Sequence, residues 1–246
     1  MMLEQTLSKM CRMRLSTMAA SLEQRLKRGD HNDLSGEEFI GLLVDDEYTA
    51  RQNRRLARVI GKANFKPEQA SLENIKYGFA RGFQKKDIMQ FTTTTWLTNA
   101  QNVIFIGPTG AGKTYLAEAI ALQACKMGFS AWKVRFKRLF DQIREYKGTG
   151  QYIKFTEKLI KTKVLLIDDF LMDPVTENEL SELMDILEDR AQSASTIITS
   201  QYSIKKWHSL MPNPTVADAI CDRVSNAAIL FNLKGDSMRK KPEIVE

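Results

Sequence analysis

Gly107-Pro108-Thr109-Gly110-Ala111-Gly112-Lys113-Thr114 is a complete G-x-x-x-x-G-K-[ST] octet, and such an octet can cradle a phosphate chain. Glycines at 107, 110 and 112 allow successive main-chain N–H groups to converge on phosphate oxygens. Lys113 adds a point charge aimed at the β and γ phosphates, and Thr114 adds a hydroxyl for Mg²⁺. Pro108, Thr109, Ala111 and Tyr115 complete the expected nucleotide-binding set, which therefore predicts a bound nucleoside triphosphate. A second run, Val164-Leu165-Leu166-Ile167-Asp168-Asp169, ends in two carboxylates. At the end of a parallel strand, Asp168 can hold Mg²⁺ through its water shell. Asp169 points to the other face and can orient or deprotonate an attacking water. A third run, 195–199, ends at Ser200-Gln201. Either a polar residue at this tip reaches the γ-phosphate or the water, or the segment is a Ser/Thr-rich edge with a turn.

These groups work together only if a strand precedes the octet and a helix follows it. The apolar run 102–106 lacks polar alternation, as expected of a strand covered on both faces. In 114–127, Leu116, Ala119, Ile120, Ala124 and Met127 share one helical face. Residues 131–136 alternate, with Trp132, Val134 and Phe136 one way and Lys133 and Arg135 the other, which predicts a strand with one basic face. Helices are expected over 138–147, 152–161 and 216–224, and a further strand over 227–233. This βα alternation implies a parallel sheet wrapped by helices. Residues 1–66 read as helical throughout, with a capping box from Ser35 to Glu38. Arg51, Arg54, Arg55 and Arg58 lie on one helical face. Such a stripe is more often a solvated face than a contact with phosphate or a neighbouring subunit. Residues 67–101 form a connector in which Thr92–Thr95 has β character.

The chain has 246 residues, 43% hydrophobic and 27% charged, as ordinary soluble domains do. Cys11, Cys125 and Cys221 form neither a zinc pattern nor an even disulfide set, which fits a reducing cytosol. No apolar stretch suggests a secretion signal or a membrane span. The net charge of +6 hides an asymmetry. Residues 130–165 carry ten Lys/Arg against three acids, and residues 168–190 carry nine acids against one Arg. Lys133, Arg135, Lys137, Arg138, Arg144, Lys147 and Lys154, interleaved with Phe136, Tyr146, Tyr152 and Phe155, point to a nucleic-acid surface.

The octet, the tract Leu165 to Asp169, Thr199-Ser200-Gln201, the tract Pro214 to Arg223, and Leu233-Lys234-Gly235-Asp236-Ser237-Met238-Arg239-Lys240 occur in that order. The chain resembles IstB-type transposition helper ATPases, in the AAA+ clade shared with DnaC helicase loaders and the DnaA initiator. The resemblance covers about 50–241. It implies a three-layer α/β P-loop NTPase (AAA+) with a parallel sheet over 67–246, and the helical reading of 1–66 adds a small all-α N-terminal domain before it. It also implies ATP with Mg²⁺, a cytoplasmic homo-oligomer on double-stranded DNA with ATP between subunits, and an IstA-like transposase as partner. By position, Asp169 stands where such proteins most often have Glu, and Gln201 stands at the sensor position. Arg223 matches the arginine supplied to a neighbour's ATP, although its local sequence alone suggests a salt bridge to Asp222. Arg239 would contact phosphate or an interface. A helicase loader with the same core and, further off, a small-molecule kinase are the alternatives.

Overall fold

The computed structural model describes residues 2–65, 70–78, 81–235 and 237–238. The chain divides into two compact units, 1–58 and 59–246. The boundary expected at 66/67 falls on residues 66–69, outside the described residues.

The first unit is helical: α1 (Met2–Arg12), α2 (Ser16–Arg28) and most of α3 (Gly36–Lys62). Gly29 ends α2 in the left-handed region at φ 81°. Ahead of α3, Ser35 Oγ accepts from the Glu38 N–H and the Ser35 N–H donates to Glu38 Oε2, so the predicted capping box is present. Beside Ala19 and Leu43, this unit also buries a charged residue. Glu47 is 4% exposed and accepts from the Met18 N–H at 2.9 Å, Arg51 Nε at 2.8 Å and Arg54 Nη2 at 3.2 Å. Half of the arginine stripe is therefore spent on a carboxylate of its own helix. Neighbouring Asp46 accepts from Ser21 Oγ and from Arg25 Nη2 at 2.9 Å.

The second unit is built on five parallel strands in the order β2-β3-β4-β1-β5. They are β1 (Val103–Ile106), β2 (Ala131–Arg135), β3 (Val164–Asp168), β4 (Ser195–Ser200) and β5 (Ile229–Asn232). Pleating sends Ile104, Leu165, Ile167 and Ile198 into one core, shared with α7 (Phe136–Gly148), α8 (Tyr152–Lys161), α9 (Glu177–Arg190), α10 (Ile204–Leu210) and α11 (Pro214–Ser225). Phe105, Leu166 and Ile197, all fully buried, face the other way, toward α6 (Lys113–Lys126). Helix α6 is buried nearly all round, including Ala117, Ala121 and Leu122, so its single apolar face in the sequence understates its coverage.

The outer edge of β2 is not open. Lys133 N–H donates to Ala63 O at 2.8 Å and Asn64 Nδ2 donates to Lys133 O at 3.0 Å, which closes an edge that could template another strand. Strand β4 lies between β3 and β1, so the alternative of a Ser/Thr-rich edge at 195–199 is corrected. The β character of Thr92–Thr95 is also corrected. Thr92 and Thr93 hydroxyls donate back to Met89 O (2.7 Å) and Gln90 O (2.9 Å), which curls the segment. A 3-10 turn and two short helices, α4 (Lys85–Met89) and α5 (Thr95–Thr98), stand there instead. Among the described residues no helix is long and apolar enough to cross a membrane.

Candidate nucleotide-binding site

The octet spans the turn between β1 and α6. Gly110 and Gly112 have φ of 83° and 88°, in the region that L side chains avoid. Gly112 opens α6, so main-chain N–H groups and a positive helix end face the same space. A Cβ at Gly110 would run into Ser237, because the segment after β5 lies on the loop, with Met238 N–H donating to Gly110 O at 2.8 Å. Lys113 is 6% exposed, and its Nζ donates to Gly107 O and Pro108 O at 2.8 and 2.9 Å. This holds the ammonium across the loop mouth.

Asp168 ends β3 directly across from α6. Its Oδ1 accepts from Thr114 Oγ1 at 2.8 Å and from Thr199 Oγ1 at 2.6 Å. Its Oδ2 lies 3.3 Å from Lys133 Nζ. Lys133 also pairs with Glu118 of α6. Glu118, Lys133 and Asp168 are 4, 7 and 2% exposed, so the three form a buried charge cluster behind the octet. The low exposure overturns Lys133 as a DNA contact. Strand alternation aims it at α6, and α6 supplies the carboxylate that makes its burial tolerable.

Asp169 reaches the site for a different reason than strand alternation. Its φ of 58° turns the chain sharply at the end of β3. The Asp169 N–H donates to Thr199 Oγ1 at 3.1 Å and the Phe170 N–H to Thr199 O at 2.8 Å. Phe170 then drops into the core while Asp169 stays at the cavity wall, 3.8 Å from Arg135 Nε. At the tip of β4, Ser200 is structural: its Oγ donates to Phe170 O and accepts from Trp207 Nε1, both at 3.0 Å. Gln201, one residue on, faces the cavity.

These groups surround a cavity of about 640 Å³, large enough for a nucleotide. Thr109, Gly110, Gly112, Lys113, Thr114 and Tyr115 line it from the octet side, and Asp168, Asp169 and Gln201 from the strand tips. Tyr115 is steadied by Ser71, whose N–H donates to its hydroxyl at 3.3 Å. The sequence reading missed Arg81, Glu118 and Met238 on the same wall. Glu118 carried one signal, a lone charge inside the apolar run Leu116 to Leu122. Met238 lay in the tract 233–240 that carries the resemblance, but no site role was read from it; Arg81 carried no signal, since tertiary folding alone brings it to the octet.

Arg223 is not brought to this cavity. It is held on α11 by Glu188 of α9, with Nε–Oε2 at 2.5 Å and Nη2–Oε1 at 3.2 Å, and by Asp222 at 3.1 Å. The Glu188 carboxylate raises its pKa further. Arg239 lies outside the described residues.

The basic tract is also largely committed within the chain. Arg135 faces Asp169 (3.8 Å), Lys137 faces Asp173 (3.6 Å) and Arg138 faces Asp141 (3.8 Å). Arg144 bridges Asp141 and Glu179 at 2.5 and 2.9 Å. Lys147 pairs with Glu182, which raises its pKa, and sits over the Tyr152 ring. Lys154 is exposed. The surplus of 130–165 thus meets the acids of 168–190 across the fold. The aromatic residues are core rather than a stacking platform: Phe136 and Phe155 are buried, and Tyr146 stacks on Phe155 with ring centroids 4.3 Å apart.

Solved structures share this architecture. AMPPCP-bound DnaA from Aquifex aeolicus aligns over 70% of this chain and 52% of its own, with a TM-score of 0.59 and 18% identity. The DnaC helicase loader aligns over 68% of this chain and 98% of its own, with a TM-score of 0.59 and 21% identity. Identities this low show the fold alone. Sequence relatives run closer. An insertion sequence ATP-binding protein of Sinorhizobium fredii is 35% identical over 240 residues, 98% of each chain. The ATP-binding protein of insertion sequence IS1162 from Pseudomonas fluorescens is 36% identical, covering 82% of this chain and 87% of its own. Residues 8–244 match the family described as IstB-like ATP binding protein, and with an octet, a strand-end carboxylate and a cavity between them in place, the chain belongs to that family.

Proposed function

We propose that the chain binds ATP with Mg²⁺ in the cavity above α6, hydrolyses it between subunits of a homo-oligomer on duplex DNA, and in that state assists a transposase. The observation that carries the nucleotide reading is the pair of hydrogen bonds from Thr114 and Thr199 to Asp168 Oδ1, at 2.8 and 2.6 Å. They place a buried carboxylate beside the hydroxyl that follows Lys113. Among the described residues no three His, Cys, Asp or Glu side chains gather to hold a metal. Two oxygen donors, Thr114 and Asp168, suit Mg²⁺, which keeps water and phosphate oxygens as its other ligands. When bound, the ion would neutralise charge on the phosphate oxygens.

The chain's own groups divide the remaining work. Octet amides and Lys113 bind the phosphates, Asp169 accepts a proton from the attacking water, and Gln201 orients it. Arg223 completes a neighbouring subunit's site by leaving Glu188 for phosphate, as an arginine finger does. The relatives' descriptions as insertion sequence proteins favour a transposase over a helicase as partner. The likeness to the DnaC loader is one of fold. A cytoplasmic location follows from this assignment.

Titration with a fluorescent ATP analogue in Mg²⁺ tests the reading. The wild type binds, and Lys113→Ala loses binding. Equal binding by the two proteins, or none by the wild type, overturns the site.

A further inference from the structure

Most arginines of the second unit with a resolved partner face a carboxylate: Arg135, Arg138, Arg144 and Arg223. Arg190 does not, but it is 1% exposed and closed in by carbonyl oxygens. Arg81 is neither paired nor closed in. It lies on the wall of the nucleotide cavity, and among the described residues no carboxylate is within ion-pair distance of it. Its Nη2 donates to Ala111 O of the octet at 3.0 Å and its Nη1 to Lys76 O. Its guanidinium carbon lies 5.1 Å above the centre of the Phe83 ring.

The backbone fixes this placement. Arg81 N–H donates to Gly78 O at 3.0 Å, and Arg81 O accepts from Lys234 N–H at 3.1 Å. Gly82 presses against Asn232 O so closely that no Cβ would fit. The side chain is therefore delivered onto the octet from outside it, by a segment anchored at the end of β5. Two carbonyls satisfy two of the five guanidinium N–H groups and leave donors for a ligand. Burial also pulls the Arg81 pKa down, as it does for a cation lacking a counter-charge. The space it faces is lined by the octet's N–H groups and Lys113, an arrangement for an anion.

We infer that Arg81 is a phosphate-binding residue: its guanidinium contacts the phosphate chain of the nucleotide from the side of the octet at Ala111 and Gly112, in addition to Lys113. The inference rests on the nucleotide assignment above and adds to it a second cation, held within the same chain. It differs from Arg223, which would act on a neighbour. A planar guanidinium already oriented by two carbonyls and a ring loses little freedom on meeting phosphate.

Two substitutions separate charge from bracing. Arg81→Gln keeps a donor for Ala111 O but removes the charge, and Arg81→Lys keeps the charge but loses the fork. Fluorescent ATP and ADP are titrated into each protein at low and high salt, and melting without nucleotide is recorded. The expected result is an affinity loss of about tenfold for Arg81→Gln and a smaller loss for Arg81→Lys. The salt dependence should be weaker in Arg81→Gln than in the wild type, with melting temperatures unchanged. Wild-type affinity in Arg81→Gln overturns the inference. Equal losses in both variants also overturn it, since they mark a brace and not a charge. Binding by the wild type but not by Lys113→Ala keeps the nucleotide assignment intact whichever way Arg81 falls; absence of binding by the wild type removes both.

Discussion

Lys133 Nζ lies 3.3 Å from Asp168 Oδ2 and pairs on its other side with Glu118, so the carboxylate assigned to Mg²⁺ is held by a buried cation from the neighbouring strand. Removing that cation leaves two buried carboxylates facing each other. Lys133→Met should destabilise the fold by about 3–5 kcal/mol, the usual result of breaking a buried pair on one side. Adding Glu118→Met should restore part of the loss. Urea unfolding measures both, and a Lys133→Met protein as stable as wild type would remove the cluster from the account.

Arg223 faces Glu188 in a single chain. Arg223→Ala should therefore bind ATP normally and lose turnover by roughly 10³-fold. Steady-state phosphate release decides. Unchanged turnover would leave the arginine a structural partner of Glu188 and Asp222.

Arg190 is 1% exposed, and burial pushes its pKa down to about 9, so it stays cationic at neutral pH. Its Nη1 reaches Leu159 O at 2.5 Å and Thr162 O at 2.7 Å, its Nη2 reaches Ser195 O at 2.6 Å, and its Nε reaches Thr196 Oγ1 at 3.2 Å. It thereby ties the end of α8 to β4. Arg190→Met would strand several buried carbonyls and should cost about 3 kcal/mol, read by urea denaturation.

Asp46 and Glu47 titrate below their ordinary values of 3.8 and 4.5, Asp46 chiefly through the Ser21 hydrogen bond and then Arg25, Glu47 chiefly through Arg51 and then the Met18 amide. The folded state favours their ionised forms. Their contribution is complete above about pH 4.5 and is lost as pH falls through the lowered values. Melting temperature should be flat from neutral pH to about 5 and drop below 4.5. Glu47→Gln should melt lower at neutral pH and lose less on acidification. An equal acid loss in that variant would contradict the assignment.

Duplex DNA affinity should fall with salt by about tenfold per two phosphate contacts between 50 and 200 mM. Lys154→Ala should weaken binding and reduce the slope, whereas Lys133→Met should leave the slope unchanged. Filter binding or anisotropy across a salt series reads both. A flat titration would remove the 130–165 tract as the contact surface.

The parts of the site that follow the chain locally were legible in the sequence. The octet, β1, β3 and the span of α8 follow from apolar runs and breakers that no tertiary contact had to override. Helix α9 was read only as acidic charge, although Thr176 and Glu179 form a capping box and Leu180, Leu183 and Leu187 follow at helical spacing. Its acids masked the period. The fate of the basic tract could not be read, because pairs such as Arg144–Glu179 and Lys147–Glu182 join residues 35 apart. Asp169 was placed correctly at the strand tip for an incomplete reason, since the left-handed turn at 58° decides where it points.

With Met238 N–H bonded to Gly110 O and Ser237 against the same glycine, the polypeptide leaves its last described residues at the rim of the cavity. A substitution at Ser237 or Met238 would therefore reshape the phosphate loop without touching any residue of the octet itself.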